Sequence, residues 1–141
     1  MIKVFLDTNI LIDYLSCREN FFESAALIFQ LGMRRKCQLL VSSLSFATAS
    51  FILQSHYKMS QEEVVKMFKQ IMKMCHITAV DSQTVSESVA SNFKDFEDAM
   101  QYFSALRESA NFIITRNKQD FIVNAIKVFE PVEFLNYSLE S

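Results

Sequence analysis

Ile2–Leu6 is mostly apolar, the pattern of a short strand buried on both faces. It stops at Asp7-Thr8-Asn9, after which apolar residues recur at Ile10, Leu11, Tyr14 and Leu15 with helical spacing. Asp, Thr and Asn side chains all accept from the free N–H groups of a helix start, so this unit reads as strand, polar turn, helix. Phe21–Arg35 is predicted as a second helix with Phe22, Ala25, Ala26 and Phe29 on one face. Gly32 or the basic run Arg34-Arg35-Lys36 marks its end. Gln38–Val41 reads as the next strand, and Ser42-Ser43 caps a helix running to about His56. Ser60 and Glu63, three apart, form a capping box. The helix it opens points Val64, Met67, Phe68, Ile71 and Met72 inward and Lys66, Lys69 and Lys73 outward.

The alternation continues. His76–Val80 is a third strand, with Asp81 capping the helix behind it. Asp95–Ser109 is a helix, apolar at Ala99, Tyr102, Phe103 and Leu106. Phe112–Ile114 is a fourth strand that ends at Thr115-Arg116-Asn117. A turn through Asp120-Phe121 leads to a fifth strand at Ala125–Phe129. Glu130 is held extended by the proline after it, and Pro131 opens a last helical turn, Val132–Leu135. Strands alternating with helices predict an α/β fold: a three-layer α/β/α sandwich around a central, mainly parallel sheet of about five strands. No repeat or linker interrupts it, so residues 1–141 are read as a single domain.

Composition narrows the class. Half of the residues are hydrophobic and 14 are Phe, enough for one sizeable core, while a single Gly and a single Pro exclude long irregular stretches. A net charge of −2 provides no general attraction to nucleic acid, so a polyanion must be held locally. Three cysteines without CxxC spacing, an acid as early as Asp7 and no long apolar run predict a cytoplasmic protein with reduced thiols and no membrane span.

Ligands of open α/β sheets bind beyond the carboxyl ends of the strands, near the switch in strand order. Asp7 and Thr115-Arg116-Asn117 both fall at such ends. Helix capping alone accounts for many acids in Asp7's position. Asp95 and Asp98, three apart, share a helix face, with Glu97 expected to point elsewhere. The helix dipole explains Asp95 and Glu97. It explains Asp98 less well, because Ala99 and Tyr102 put that residue on the side expected to approach the sheet. Asp120 reads either as a solvated loop acid or as a third carboxylate. Together these acids offer hard oxygen ligands without a His or Cys set, which suits Mg²⁺ or Mn²⁺ rather than zinc.

LDTNILIDYL, DFEDAMQYFSA and ITRNKQDF, followed by a P-x-E-F segment, resemble the PIN domain family, in order and over nearly the whole chain. The likeness is to the VapC-like bacterial ribonuclease toxins. That resemblance implies a Mg²⁺- or Mn²⁺-dependent endoribonuclease of the kind that serves as a toxin with an antitoxin protein partner, and a tendency to pair as a homodimer. On it, Asp7 and Asp98 become metal carboxylates and Asp120 a ligand directly or through water. Asn117 stands where the family often has an acid and becomes a catalytic positioner. Asn9, Thr115 and Asp95 become supporting residues, and Arg116, Lys118 and Arg18 weak phosphate contacts. One departure stands out: the family's second acid, in the helix after the second strand, is replaced by Thr48. The alternative is therefore a catalytically weakened PIN-like module that binds RNA or a protein. A third reading, phosphotransfer through Asp7, is disfavoured by Asn9, where such enzymes want a second Asp.

Overall fold

The computed structural model describes residues 1–121 and 125–140. Five strands form one sheet: β1 (Lys3–Leu6), β2 (Gln38–Ser42), β3 (Cys75–Thr78), β4 (Phe112–Ile114) and β5 (Lys127–Phe129). Their order is β3-β2-β1-β4-β5, and every pairing is parallel. Among the described residues seven α-helices flank the sheet: α1 (Thr8–Leu15), α2 (Phe22–Met33), α3 (Ser43–Ser55), α4 (Gln61–Met74), α5 (Ser82–Val89), α6 (Phe96–Arg107) and α7 (Pro131–Glu140). The three-layer α/β/α fold is the one predicted from the alternation of elements.

β1 shows how the sequence makes two cores. Val4 and Leu6 pack with α1, α2, α3 and α4, whereas Phe5 packs on the opposite face with Leu40, Tyr102, Ala105 and Ile113. Both faces are closed, so every residue of the strand after Lys3 is apolar and buried. Caps fall where the side chains predict them. Ser60 and Glu63 exchange the two bonds of a capping box, and Asp81 does the same with Thr84. Among the described residues no helix is long and apolar enough to cross a membrane.

Several boundaries and faces depart from the sequence reading. The third strand is Cys75–Thr78 rather than His76–Val80, because Leu39–Ser42 of β2 pairs with it from Cys75 onward. Burial there pushes the Cys75 thiol up to about 12. The fifth strand begins at Lys127, and the last helix runs for 10 residues instead of one turn. Phe134 anchors that helix against Phe112 and Phe129. Met72 is 57% exposed, leaving Val64 and Ile71 as the buried residues of α4. On α6 Leu106 is exposed, whereas Gln101 and Ser104 are buried. The polar residues occupy the sheet-facing side because hydroxyl partners wait for them at the strand ends.

Candidate active site

The strand order turns back beside β1: the chain goes outward through β2 and β3, then returns to lay β4 on β1's other edge. Leu6 pairs with Ile114, so the next residues, Asp7 and Thr115, stand side by side at the carboxyl edge. Asp7 N–H donates to the Ile114 carbonyl at 3.0 Å and completes that junction. This is the crevice where open α/β sheets hold ligands.

Asp7 is the N-cap of α1 and is only 7% exposed. Its Oδ1 accepts from Thr8 N–H at 2.8 Å and from Gln101 Nε2 at 3.3 Å. Its Oδ2 accepts from the Thr115 hydroxyl at 2.8 Å and from Asn9 Nδ2 at 3.4 Å. Burial nevertheless dominates and pushes the Asp7 pKa up, and the charge of Asp120 adds to that rise. Capping alone does not require a carboxyl so deeply enclosed.

Asp98, in the first turn of α6, lies within electrostatic reach of Asp7, Asp95 and Asp120. Burial first, then those carboxylates, raise its pKa to about 7. The three segments singled out in the sequence therefore converge. Asp95 caps α6 through Glu97 N–H at 3.3 Å and forms a hydrogen bond with Asp98. Asp95, Asp98 and Asp120 line a cleft of about 530 Å³, together with Asn92, Phe93 and Lys94. Among the described residues no three acidic, His or Cys side chains are poised to ligate one ion as they stand.

Glu97 corrects the sequence reading. Its carboxyl is half-buried, bonds to the Thr48 hydroxyl and feels the charge of Asp7, so it faces the site instead of pointing away. Thr48 thus holds an acid supplied by α6. Gln101 is the other residue that sequence reasoning missed. It is fully buried and bonds to Asp7, Thr8, Ser42 and Ser45. The available signal was a polar residue between Ala99 and Tyr102 on a helix face otherwise read as apolar.

The supporting residues divide. Asn9 bridges Asp7 and Thr115 and accepts from Arg116 N–H, while Asn117 is exposed and its N–H donates to Thr115 Oγ1. Arg116 is committed elsewhere than to a free phosphate site. Its Nε lies 2.6 Å from Asp13 Oδ2, and its guanidinium stacks 4.2 Å from the Phe21 ring centroid. Lys118 pairs with Glu133 at 3.1 Å, and Arg18 lies 5.3 Å over Phe21.

The crowded acids have a measurable consequence without metal. Between about pH 4 and pH 7 folded Asp98 keeps a proton that the unfolded chain has lost. Stability therefore falls as pH rises through that window, and Asp7, Asp13 and Glu97, all shifted upward, act with the same sign. Asp81, lowered to about 2 by Arg107, opposes this only at more acidic pH. In EDTA, Tm is expected to climb as pH is lowered from about 8 to about 5.5, and Mn²⁺ at pH 8 to recover much of the difference. A flat or inverted Tm profile in EDTA contradicts the crowding.

A sequence profile of the PIN domain matches residues 3–119. The chain is 26% identical over 137 residues to the protein named Ribonuclease VapC1 of Aquifex aeolicus (strain VF5), covering 94% of this chain and 92% of that one. Among solved structures it resembles a component of a toxin–antitoxin complex from Klebsiella pneumoniae, with TM-score 0.66 and 23% identity over 91% of this chain and 97% of that one. It also resembles Mycobacterium tuberculosis VapC20, described as a sarcin-ricin loop cleaving toxin, with TM-score 0.60 and 11% identity over 78% and 86% of the two chains.

Proposed function

The chain belongs to the PIN domain family, and from that premise we propose that it is a metal-dependent endoribonuclease, the toxin of a toxin–antitoxin pair. The observation that carries this is the meeting of Asp7, Asp98 and Asp120 beside the cleft at the carboxyl edge of β1 and β4. The name of the Aquifex relative and the complex from Klebsiella support the ribonuclease and antitoxin parts respectively.

The donor set fits Mg²⁺ or Mn²⁺: it is made of carboxylates, and Asp98 is raised first by burial and then by the charges of Asp7, Asp95 and Asp120. Asp7 and Asp98 would hold the ion, with Asp120 bound directly or through water. When bound, such an ion polarises a phosphodiester oxygen and lowers the pKa of a coordinated water. The chain's own residues do the rest. Thr8 N–H and the Thr115 hydroxyl fix one oxygen each of Asp7, and Asn9 ties that carboxylate to the β4 turn. Thr48 holds the Glu97 carboxyl beside Asp7, which adds negative charge where the helix after β2 has none. Asn117 is placed in the turn after β4 to hydrogen-bond a substrate oxygen, and Lys94 and Arg18 are exposed cations available to phosphates. The whole chain acts as one PIN domain and pairs as a homodimer in the cytoplasm.

The test is direct. Purified protein cuts structured RNA in Mn²⁺ or Mg²⁺, EDTA stops it, and Asp98→Asn loses it under the same conditions. Equal cleavage by wild type and Asp98→Asn sinks the nuclease reading. Thr48 favours one second reading, a weakened module, whose signature is tight RNA binding without cleavage in either metal.

A further inference from the structure

We propose that Gln101 is a positioning residue that clamps the first turn of α6, and with it Asp98, against Asp7. The inference rests on the metal-centre reading above, but its geometry is independent of which metal is bound.

Gln101 is 0% exposed. Its Nε2 lies 2.8 Å from Ser45 Oγ, 2.9 Å from Thr8 Oγ1 and 3.3 Å from Asp7 Oδ1. Its Oε1 accepts from the Ser42 hydroxyl. The Asp7 carboxylate, an acceptor only when ionised, fixes which way the amide faces. Ser42 Oγ accepts from Ser45 N–H as the N-cap of α3 and gives its own proton to Gln101 Oε1. The NH₂ group is thereby left pointing at Asp7, Thr8 and Ser45. One side chain thus joins α6 to the end of β1, the start of α1, the end of β2 and the first turn of α3.

Such a clamp answers a mechanical problem. Asp98 lies three residues before Gln101 and Glu97 four, so all three share one face of α6. The carboxylates of Asp7 and Asp98 repel, and in the first turn of α6 the bond from Glu97 to Thr48 opposes that repulsion through α3. The buried amide, with four partners outside α6 and Asp7 among them, ties the helix to the repelling carboxylate itself. One turn further on, Ser104 makes a comparable buried bond to Thr78 at 2.6 Å and to the Ala79 carbonyl at 2.8 Å, but has no link to Asp7. Ser104 therefore separates general anchoring of α6 from positioning of the acids.

The experiment compares wild type, Gln101→Met and Ser104→Ala, with Gln101→Asn as a polar variant too short to span Ser42 and Asp7. Gln101→Met is expected to fold, since Thr8 and Ser45 still bond to each other at 2.7 Å. Mn²⁺ affinity, read by electron paramagnetic resonance, should fall roughly 10- to 100-fold in both Gln101 variants, as for other residues that orient metal ligands, and stay unchanged in Ser104→Ala. Metal-free crystal structures should show the Asp98 carboxyl farther from Asp7 in the Gln101 variants only. Asp98 in its wild-type place in those variants overturns the proposal whatever the affinity does, as does equal displacement in Ser104→Ala. Wild type that binds no Mn²⁺ removes the metal-centre reading, and the crystal comparison still decides the role of Gln101.

Discussion

Asp7→Asn is expected to abolish metal-dependent RNA cleavage while leaving the metal-free protein at least as stable as wild type. The loss should exceed roughly 100-fold, beyond the range usual for a residue that only orients a ligand. The shape of the site survives the change. An amide oxygen can still accept from Thr8 N–H and Gln101. The new amide nitrogen forgoes the 2.8 Å bond from the Thr115 hydroxyl and the 3.4 Å contact from Asn9, since Thr115 Oγ1 already accepts from Asn9 Nδ2 and Asn117 N–H. In exchange, a carboxylate whose pKa is raised by burial is removed. A buried charge that destabilises the empty protein is what an ion-binding centre requires, and its removal trades function for stability. Cleavage and Tm in EDTA, measured on the same preparation, check both halves. Undiminished cleavage excludes Asp7 as a ligand, and a collapsed Tm reassigns it to the fold.

The largest stability effect is expected at Arg116. Its guanidinium spans both oxygens of Asp13, at 2.6 and 3.3 Å, and stacks on Phe21, while Asp13 is only 1% exposed. Removing one partner of a buried pair strands the other, a loss of roughly 3–5 kcal/mol. Arg116→Met should lose about that much at pH 8 in chemical denaturation. The loss should shrink as pH is lowered, because burial already raises the Asp13 pKa and a protonated carboxyl needs no cation. Arg116→Lys keeps the charge but not the fork or the stacking, and should fall between. Asp13→Leu combined with Arg116→Met should recover most of the stability. Should Arg116→Met keep wild-type stability and instead weaken RNA binding, Arg116 is a phosphate contact and the buried-pair account is wrong.

What could be read from the chain was whatever local chemistry dictates. The apolar run that stops at Asp7, the capping pair Ser60 and Glu63, and the cap at Asp81 all sit where side-chain type and spacing put them. What escaped depends on partners distant in sequence. Gln101 and Ser104 are buried because Ser42, Ser45 and Thr78 end or follow other strands, and periodicity favours Leu106, which has no such partner and is exposed. Glu97 faces the site because Thr48 draws it there from a different helix. Arg116 looks like a rim cation until Asp13, read only as part of a helix, is found beneath it. Helix α7 exceeds its expected single turn because Phe134 finds Phe112 and Phe129.

The place of β1 in the sheet governs when the protein is finished. Its neighbours are β2 on one edge and β4 on the other, and Asp7 takes donors from residues as far along as Gln101 and Thr115. A chain emerging from the ribosome therefore has nowhere to seat Asp7 until the segment through β4 has followed. A fragment broken off before β4 keeps Asp7 without the neighbouring strand end that completes its surroundings.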